Sequence, residues 1–225
     1  MKFLEIKLLL ILCAAFGVSC TQTQTAQTNS STPASNTTVA APTVSPTVAA
    51  VEPRLDVPYV PTHELIVDEM LKMANVKGTD VLYDLGSGDG RIPITAAKRF
   101  GTRGVGIDLN PQRIKEANEN AEKAGVTDKV KFIEGDIFKT DFNEATVLTL
   151  YLLPNINLKL RPQIFDMKPG TRVVSHNYHM GDWKPEKTKL VKTPDGIEHY
   201  VYLWRVPKKK PDFKQETNQY CATKV

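Results

Sequence analysis

The sequence predicts an α/β domain: a mostly parallel sheet between two layers of helices, with one antiparallel strand near its edge. Three observations predict it. Segments of strand period alternate with segments of helix period from residue 62 to residue 175. The first strand runs into a turn with glycines at alternate positions, Gly86, Gly88 and Gly90, that opens a helix. Two β-rich runs at the end, Lys189–Thr193 and His199–Val206, are joined around Pro194-Asp195-Gly196, a hairpin signal.

Each element follows from local chemistry. Thr62 can cap a helix whose apolar face is Ile66, Val67, Met70, Leu71, Met73 and Ala74, with Gly78 after its end. Val81-Leu82-Tyr83 is the first strand. A helix over Arg91–Phe100 tolerates Pro93 in its first turn. Gly104–Asp108 is the second strand, and Asn110 caps a helix that Pro111 opens and Gly125 closes. Val130–Ile133 and Ala145–Leu150 are the third and fourth strands. A helix over 155–167 and a fifth strand, Thr171–Ser175, precede the hairpin, which brings the strands to seven.

The rest of the chain has a different character. Lys2 and Lys7 form a short basic region before an apolar run, Leu8–Phe16, too short to span a bilayer as a mature helix, and small residues then lead to Cys20. Residues 1–20 read as an export signal of lipoprotein type, with Cys20 as the lipidated residue and Gly17 where a leucine is usual. Residues 21–56 begin with an uncharged, non-aromatic stretch to Val51 and form a flexible tether. The domain occupies 57–206, and 207–225 is a basic polar tail. The expectation is an exported, membrane-tethered monomer, or a cytoplasmic protein if the signal is not used as one. The three cysteines, Cys13, Cys20 and Cys221, fall outside the domain, which offers no Cys-based metal site. Residues 54–206 hold 22 basic and 21 acidic side chains, so composition gives no support for a nucleic-acid substrate.

The glycine turn, Asp84-Leu85-Gly86-Ser87-Gly88-Asp89-Gly90, carries the chemistry. Its third glycine comes one residue too early for a dinucleotide fingerprint, and Asp89 would repel a phosphate, which argues against NAD. The stretch resembles the first motif of class I S-adenosylmethionine-dependent methyltransferases, and the resemblance implies their Rossmann-like three-layer fold. It also implies S-adenosylmethionine as cofactor. The backbone and side chains of Gly86, Ser87, Gly88 and Gly90 would cradle it, with Asp84 near the methionine amino group. Asp108, ending the second strand, would take the ribose hydroxyls, and Asp136, in Glu134-Gly135-Asp136-Ile137, the adenine amino group. Asp89 is open between a helix-start acid and a cofactor contact.

Tyr59-Val60-Pro61-Thr62, Asp84 through Ile92 and Leu109-Asn110-Pro111 resemble, over about residues 57–183, a narrower family. It comprises the protein-lysine methyltransferases that modify the c-subunit of ATP synthase and adenine nucleotide translocase, with their bacterial relatives. This implies N-methylation of a protein lysine by direct in-line transfer. The chain departs from the pattern at Ser175-His176-Asn177-Tyr178-His179, so a small-molecule acceptor, or a tethered cofactor-binding protein without turnover, stays open. The loop Tyr151-Leu152-Leu153-Pro154-Asn155 lacks the Asn/Asp-Pro-Pro-aromatic signature of nucleobase-amine enzymes. Tyr151, Tyr59, the Leu152–Pro154 carbonyls and His176 are the candidate acceptor residues, with His176 and His179 as base, pocket wall or plain surface loop. Trp183 reads as core or lid.

Overall fold

The computed structural model describes residues 59–211. The export signal, Cys20, the tether and the tail beyond residue 211 lie outside them. The element order is α1 (Glu64–Met73), β1 (Val81–Leu85), α2 (Arg91–Phe100), β2 (Arg103–Asp108), α3 (Pro111–Ala124), β3 (Val130–Glu134), β4 (Val147–Leu150), α4 (Pro154–Asp166), β5 (Arg172–His176), β6 (Lys187–Lys192) and β7 (Glu198–Arg205). The seven strands form one sheet in the order β3-β2-β1-β4-β5-β7-β6. Its first five strands are parallel, and β7 runs antiparallel to both β5 and β6. The alternation of periods and the closing hairpin predicted this architecture.

Both faces of the central strands are covered, which is why they read as almost unbroken apolar runs. Tyr83, Leu85, Val105, Ile107, Leu148 and Leu150 turn to one face, against Ile156, Leu160 and Ile164 of α4 and the buried Trp204. Leu82, Val147 and Val174 turn to the other, against Ile66, Val67, Met70 and Leu71 of α1. On that second face Gly104 and Gly106 of β2 leave room. A Cβ on Gly104 would lie 2.9 Å from Pro93, and one on Gly106 2.6 Å from Ser87 Oγ, so the missing side chains let α2 and the glycine turn settle onto the sheet.

Two ends of α1 differ from the sequence reading. His63, not Thr62, is the cap: its Nδ1 accepts the Leu65 N–H at 3.2 Å. Thr62 instead turns inward and is buried. Asn75, not Gly78, closes the helix in the left-handed region (φ 50°), its N–H reaching the Lys72 carbonyl while that of Val76 reaches Leu71. The closure is locked from afar. Arg172, at the start of β5, donates to the Ala74 and Asn75 carbonyls and pairs with the Asp80 carboxylate just before β1.

A third difference matters more. His176 is not in the loop after the fifth strand. The antiparallel partner β7 extends β5 by one residue, pairing His176 with Val201 and burying it.

Candidate active site

Strand order reverses between β1 and β4, whose next connections leave in opposite directions, and a cleft opens at their carboxyl ends. The glycine turn forms its floor. Gly86, Gly88 and Gly90 all have positive φ (75°, 53° and 78°). The Gly86 and Ser87 N–H groups donate to the Ile107 carbonyl, and the Gly88 N–H donates to Asp108 Oδ2 at 2.8 Å. Asp108 Oδ1 accepts the Asn110 N–H at 2.9 Å. One carboxylate thus ties the turn after β1 to the turn after β2, and each of its oxygens keeps a second lone pair for a ligand. Asn110 is also the cap of α3, accepting the Gln112 N–H at 2.9 Å.

Asp84 forms the inner wall. It is 3% exposed, and the Thr149 hydroxyl donates to its Oδ1 at 2.7 Å. Burial first, and then the charges of Asp108 and Asp89, push its carboxyl up to about 7, against the opposing pull of Thr149. Asp136 sits at the opposite end of the cleft. Its Oδ1 accepts the Phe138 N–H at 2.9 Å and Lys139 approaches its Oδ2 at 3.3 Å, which together hold its carboxyl below the usual range. Leu109, Ile137 and Phe138 supply apolar wall between the carboxylates. Ser87 Oγ is buried at the cleft wall with no protein partner.

A strap of residues 59–62 crosses the mouth. A Cβ on Gly88 would lie 2.4 Å from Tyr59 Cε2, so this ring lies directly over the glycine turn. Arg113 stacks on the outer side of the ring, 4.5 Å from its centroid. Arg91 donates to the Thr62 carbonyl at 2.8 Å and clasps Asp89 through Nε and Nη2. Asp89 also accepts the Arg91 N–H, although Gly90 is the residue at the cap position. Asp89 is therefore both a helix-start acid and a wall of the cleft.

The remaining wall of the cleft is built from Tyr151, Tyr178, Leu152 and Leu153. Burial, reinforced by Tyr178, raises the Tyr151 phenol above its ordinary value, so it is a neutral donor and acceptor and not a base. The Leu153 carbonyl accepts the Ile156 and Asn157 N–H groups and Pro154 opens α4, leaving Leu152 as the carbonyl of that loop outside the helix ladder. His176 does not reach the cleft. It lies behind Tyr151, ring centroids 3.8 Å apart. His179 is exposed, its Nδ1 accepting the Gly181 N–H, and Trp183 packs between Phe165 and Trp204. The sequence reading missed Tyr178, Thr149 and Asn177. Asn177 holds a positive φ of 59° and is clamped to Tyr200 of β7 through its N–H and its Oδ1. An Asn between two aromatic rings after a strand was the signal available.

The cleft fits a nucleoside joined to an amino acid. A buried acid faces where an ammonium would sit, a doubly anchored carboxylate faces where a diol would sit, and an ionised acid flanks apolar walls suited to a flat base. S-adenosylmethionine would be held in that order by Asp84, by the glycine turn with Asp108, and by Asp136 with Leu109 and Phe138; its sulfonium supplies an activated methyl group.

The ANTKMT methyltransferase domain profile matches residues 84–187. A protein-lysine N-methyltransferase of Saccharolobus islandicus is 47% identical over 157 residues, covering 68% of this chain and 96% of that protein. A Xenopus laevis lysine N-methyltransferase of the ATP synthase c-subunit is 29% identical, over 81% of this chain and 77% of its own length. The crystal structure of an RNA methyltransferase from Salinibacter ruber, in complex with S-adenosyl-L-homocysteine, is 52% identical with a TM-score of 0.64, over 68% of this chain and 98% of its own. Fold and site together define a class I S-adenosylmethionine-dependent methyltransferase. Within that class the chain belongs to the protein-lysine N-methyltransferase family.

A pH dependence follows from Asp84. Below pH 7 its carboxyl is largely protonated, and an ammonium can be held fully only after that proton leaves. Affinity for S-adenosylhomocysteine should rise up to about tenfold per pH unit up to pH 7 and then level off. Because this carboxyl's value is raised on folding, its contribution to stability is complete at low pH and lost as pH rises through 7. Asp84→Asn should accordingly stabilise the ligand-free domain at pH 8 while weakening the ligand. Calorimetric titration across pH 5.5–8.5 with melting curves checks both signs; an affinity flat across that range would refute the assignment.

Proposed function

We propose that the acceptor is the side-chain amine of a protein lysine. The observation that carries this is the charge of the cleft. Asp89, Asp108 and Asp136, joined by Asp84 as pH rises through 7, line it against Arg91 and Arg113. Both guanidiniums are already paired, Arg91 with Asp89 and Arg113 with Glu116 at 2.7 Å. An excess of carboxylates attracts a cationic amine and repels a phosphate backbone. The aromatic acceptor end and the near-neutral domain support the same reading, as do the names of the Saccharolobus and Xenopus relatives. The Salinibacter relative's description as an RNA methyltransferase points the other way, so the test must include RNA.

The chain's own groups have three tasks here. Tyr59 and its strap exclude water from the floor, Tyr151 and the Leu152 carbonyl orient the amine, and the apolar acceptor end disfavours its charged form. The N-terminal reading makes the acceptor a protein at the membrane or outside the cytoplasm in this proposal, and a reporter fused to the C-terminus reads that compartment. Incubation with methyl-labelled S-adenosylmethionine, a lysine-containing peptide library and, in parallel, total RNA should give Nε-methyl-lysine on hydrolysis. Label confined to nucleosides would overturn the lysine reading.

A further inference from the structure

Thr62, His176 and His199 make a continuous polar path from the cleft wall to the surface that neither cofactor binding nor the acceptor residues use. Thr62 lines the cleft and is buried. Its Oγ1 lies 3.3 Å from His176 Nδ1. His176 Nε2 lies 2.9 Å from His199 Nδ1. His199 is partly exposed on β7, beside Asn177 and opposite Val191 of β6. The Tyr151 ring, Thr62 and His199 lie against the His176 ring, its backbone pairs with Val201, and among the described residues no carboxylate bonds to it. Burial, and then His199, hold the imidazole of His176 down to about 3. It is a neutral ring whose two nitrogens each face one polar neighbour.

We propose that Thr62–His176–His199 is a proton relay that carries the proton lost by the acceptor amine out to solvent. The inference rests on the amine reading above. A lysine ammonium has no lone pair, so it must lose a proton before it can attack the methyl group. In the relay the ammonium N–H bond breaks and its proton passes to Thr62 Oγ1 as the Thr62 hydroxyl proton passes to His176 Nδ1. The Nε2 proton of His176 passes to His199 Nδ1, and the Nε2 proton of His199 passes to water. One proton enters, one leaves, and no ring holds a net charge at the end. Once the product has left and water enters the cleft, the transfers run in reverse: His199 takes a proton from water at Nε2 and passes its Nδ1 proton to His176 Nε2, and the His176 Nδ1 proton leaves through Thr62 to cleft water, which restores both starting tautomers. The low basicity of His176 suits this role, because it disfavours a stored imidazolium and requires the transfers to be concerted. The Tyr151 face at 3.8 Å stabilises the charge that develops in passing.

The test uses the full chain and the peptide library, with single-turnover methyl transfer as the readout. Thr62→Val and His199→Phe should each slow transfer at pH 7 by at least about tenfold, the scale of positioned proton transfer. Binding of S-adenosylhomocysteine should stay unchanged in His199→Phe, whose side chain lies outside the cleft lining. The defect should shrink to within about twofold at about pH 10.5, where roughly half of the amine is already neutral. Thr62→Ser should recover the rate by restoring the hydroxyl, and free imidazole should recover His199→Phe. A defect of equal size at every pH, or none, would overturn the relay while leaving the lysine reading intact. A wild-type chain that makes no methyl-lysine would remove both together.

Discussion

Replacing Asp108 with alanine should weaken binding of S-adenosylhomocysteine by about 100-fold or more. Two effects combine. The carboxylate offers charged acceptors to a ribose diol, and hydrogen bonds to a charged group contribute about 1.5–3 kcal/mol each, so losing two of them costs at least roughly 3 kcal/mol. The same carboxylate accepts the Gly88 and Asn110 N–H groups, and without it the floor of the cleft loses its tie to β2. Asparagine should not rescue, because its amide nitrogen would face one of those two N–H donors. Calorimetric titration of Asp108→Ala and Asp108→Asn checks this. A dissociation constant within about threefold of wild type in either variant would remove Asp108 from the site.

Gly90→Ala should strongly destabilise the domain. Its φ is +78°, and a Cβ there would lie 2.5 Å from Phe132 Cζ and 2.9 Å from the Cβ of Ala117. Neither neighbour is free to move, since Phe132 and Ala117 belong to the small core between α2, α3 and β3. Left-handed strain costs about 1 kcal/mol and overpacking about 1–3 kcal/mol, so the sum is roughly 2–4 kcal/mol, or about 5–15 °C in melting temperature. Gly125→Ala is the control. Its φ is +67° but nothing lies within 4 Å of the new Cβ, so only the strain, about 1 kcal/mol, remains. Gly88→Ala differs again, because its Cβ would meet Tyr59, a ring 41% exposed that can swing aside. Its loss should fall on the strap and on ligand affinity. Equal melting-temperature drops for Gly90→Ala and Gly125→Ala would contradict this packing argument.

The glycine floor and the carboxylates of the cleft were legible in the sequence and its aromatic end was not, for a physical reason. Asp84, the glycine turn, Asp108 and Asp136 each lie at or just beyond the end of a strand, where local periodicity and glycine spacing announce them. A strand followed by a tight turn dictates its own geometry over a few residues. Asn110 and Gly125 bounded α3 for the same reason, since caps are local.

The aromatic end depends on pairings across long stretches of chain. Thr62 looked like a helix cap because cap chemistry is all that a sequence offers for a threonine there. The structure gives that task to His63 and brings Thr62 to His176, 114 residues away. His176 looked like a loop residue because its strand partner, Val201, lies 25 residues further along. Composition, glycine spacing and period thus determined by themselves the sheet, its hairpin and the carboxylates that line the cleft. Only the tertiary structure decided that Tyr151 lies over the buried His176 and that a strap closes on the glycine turn. Such contacts are set by which distant surfaces the packed core brings together, and no local propensity encodes that.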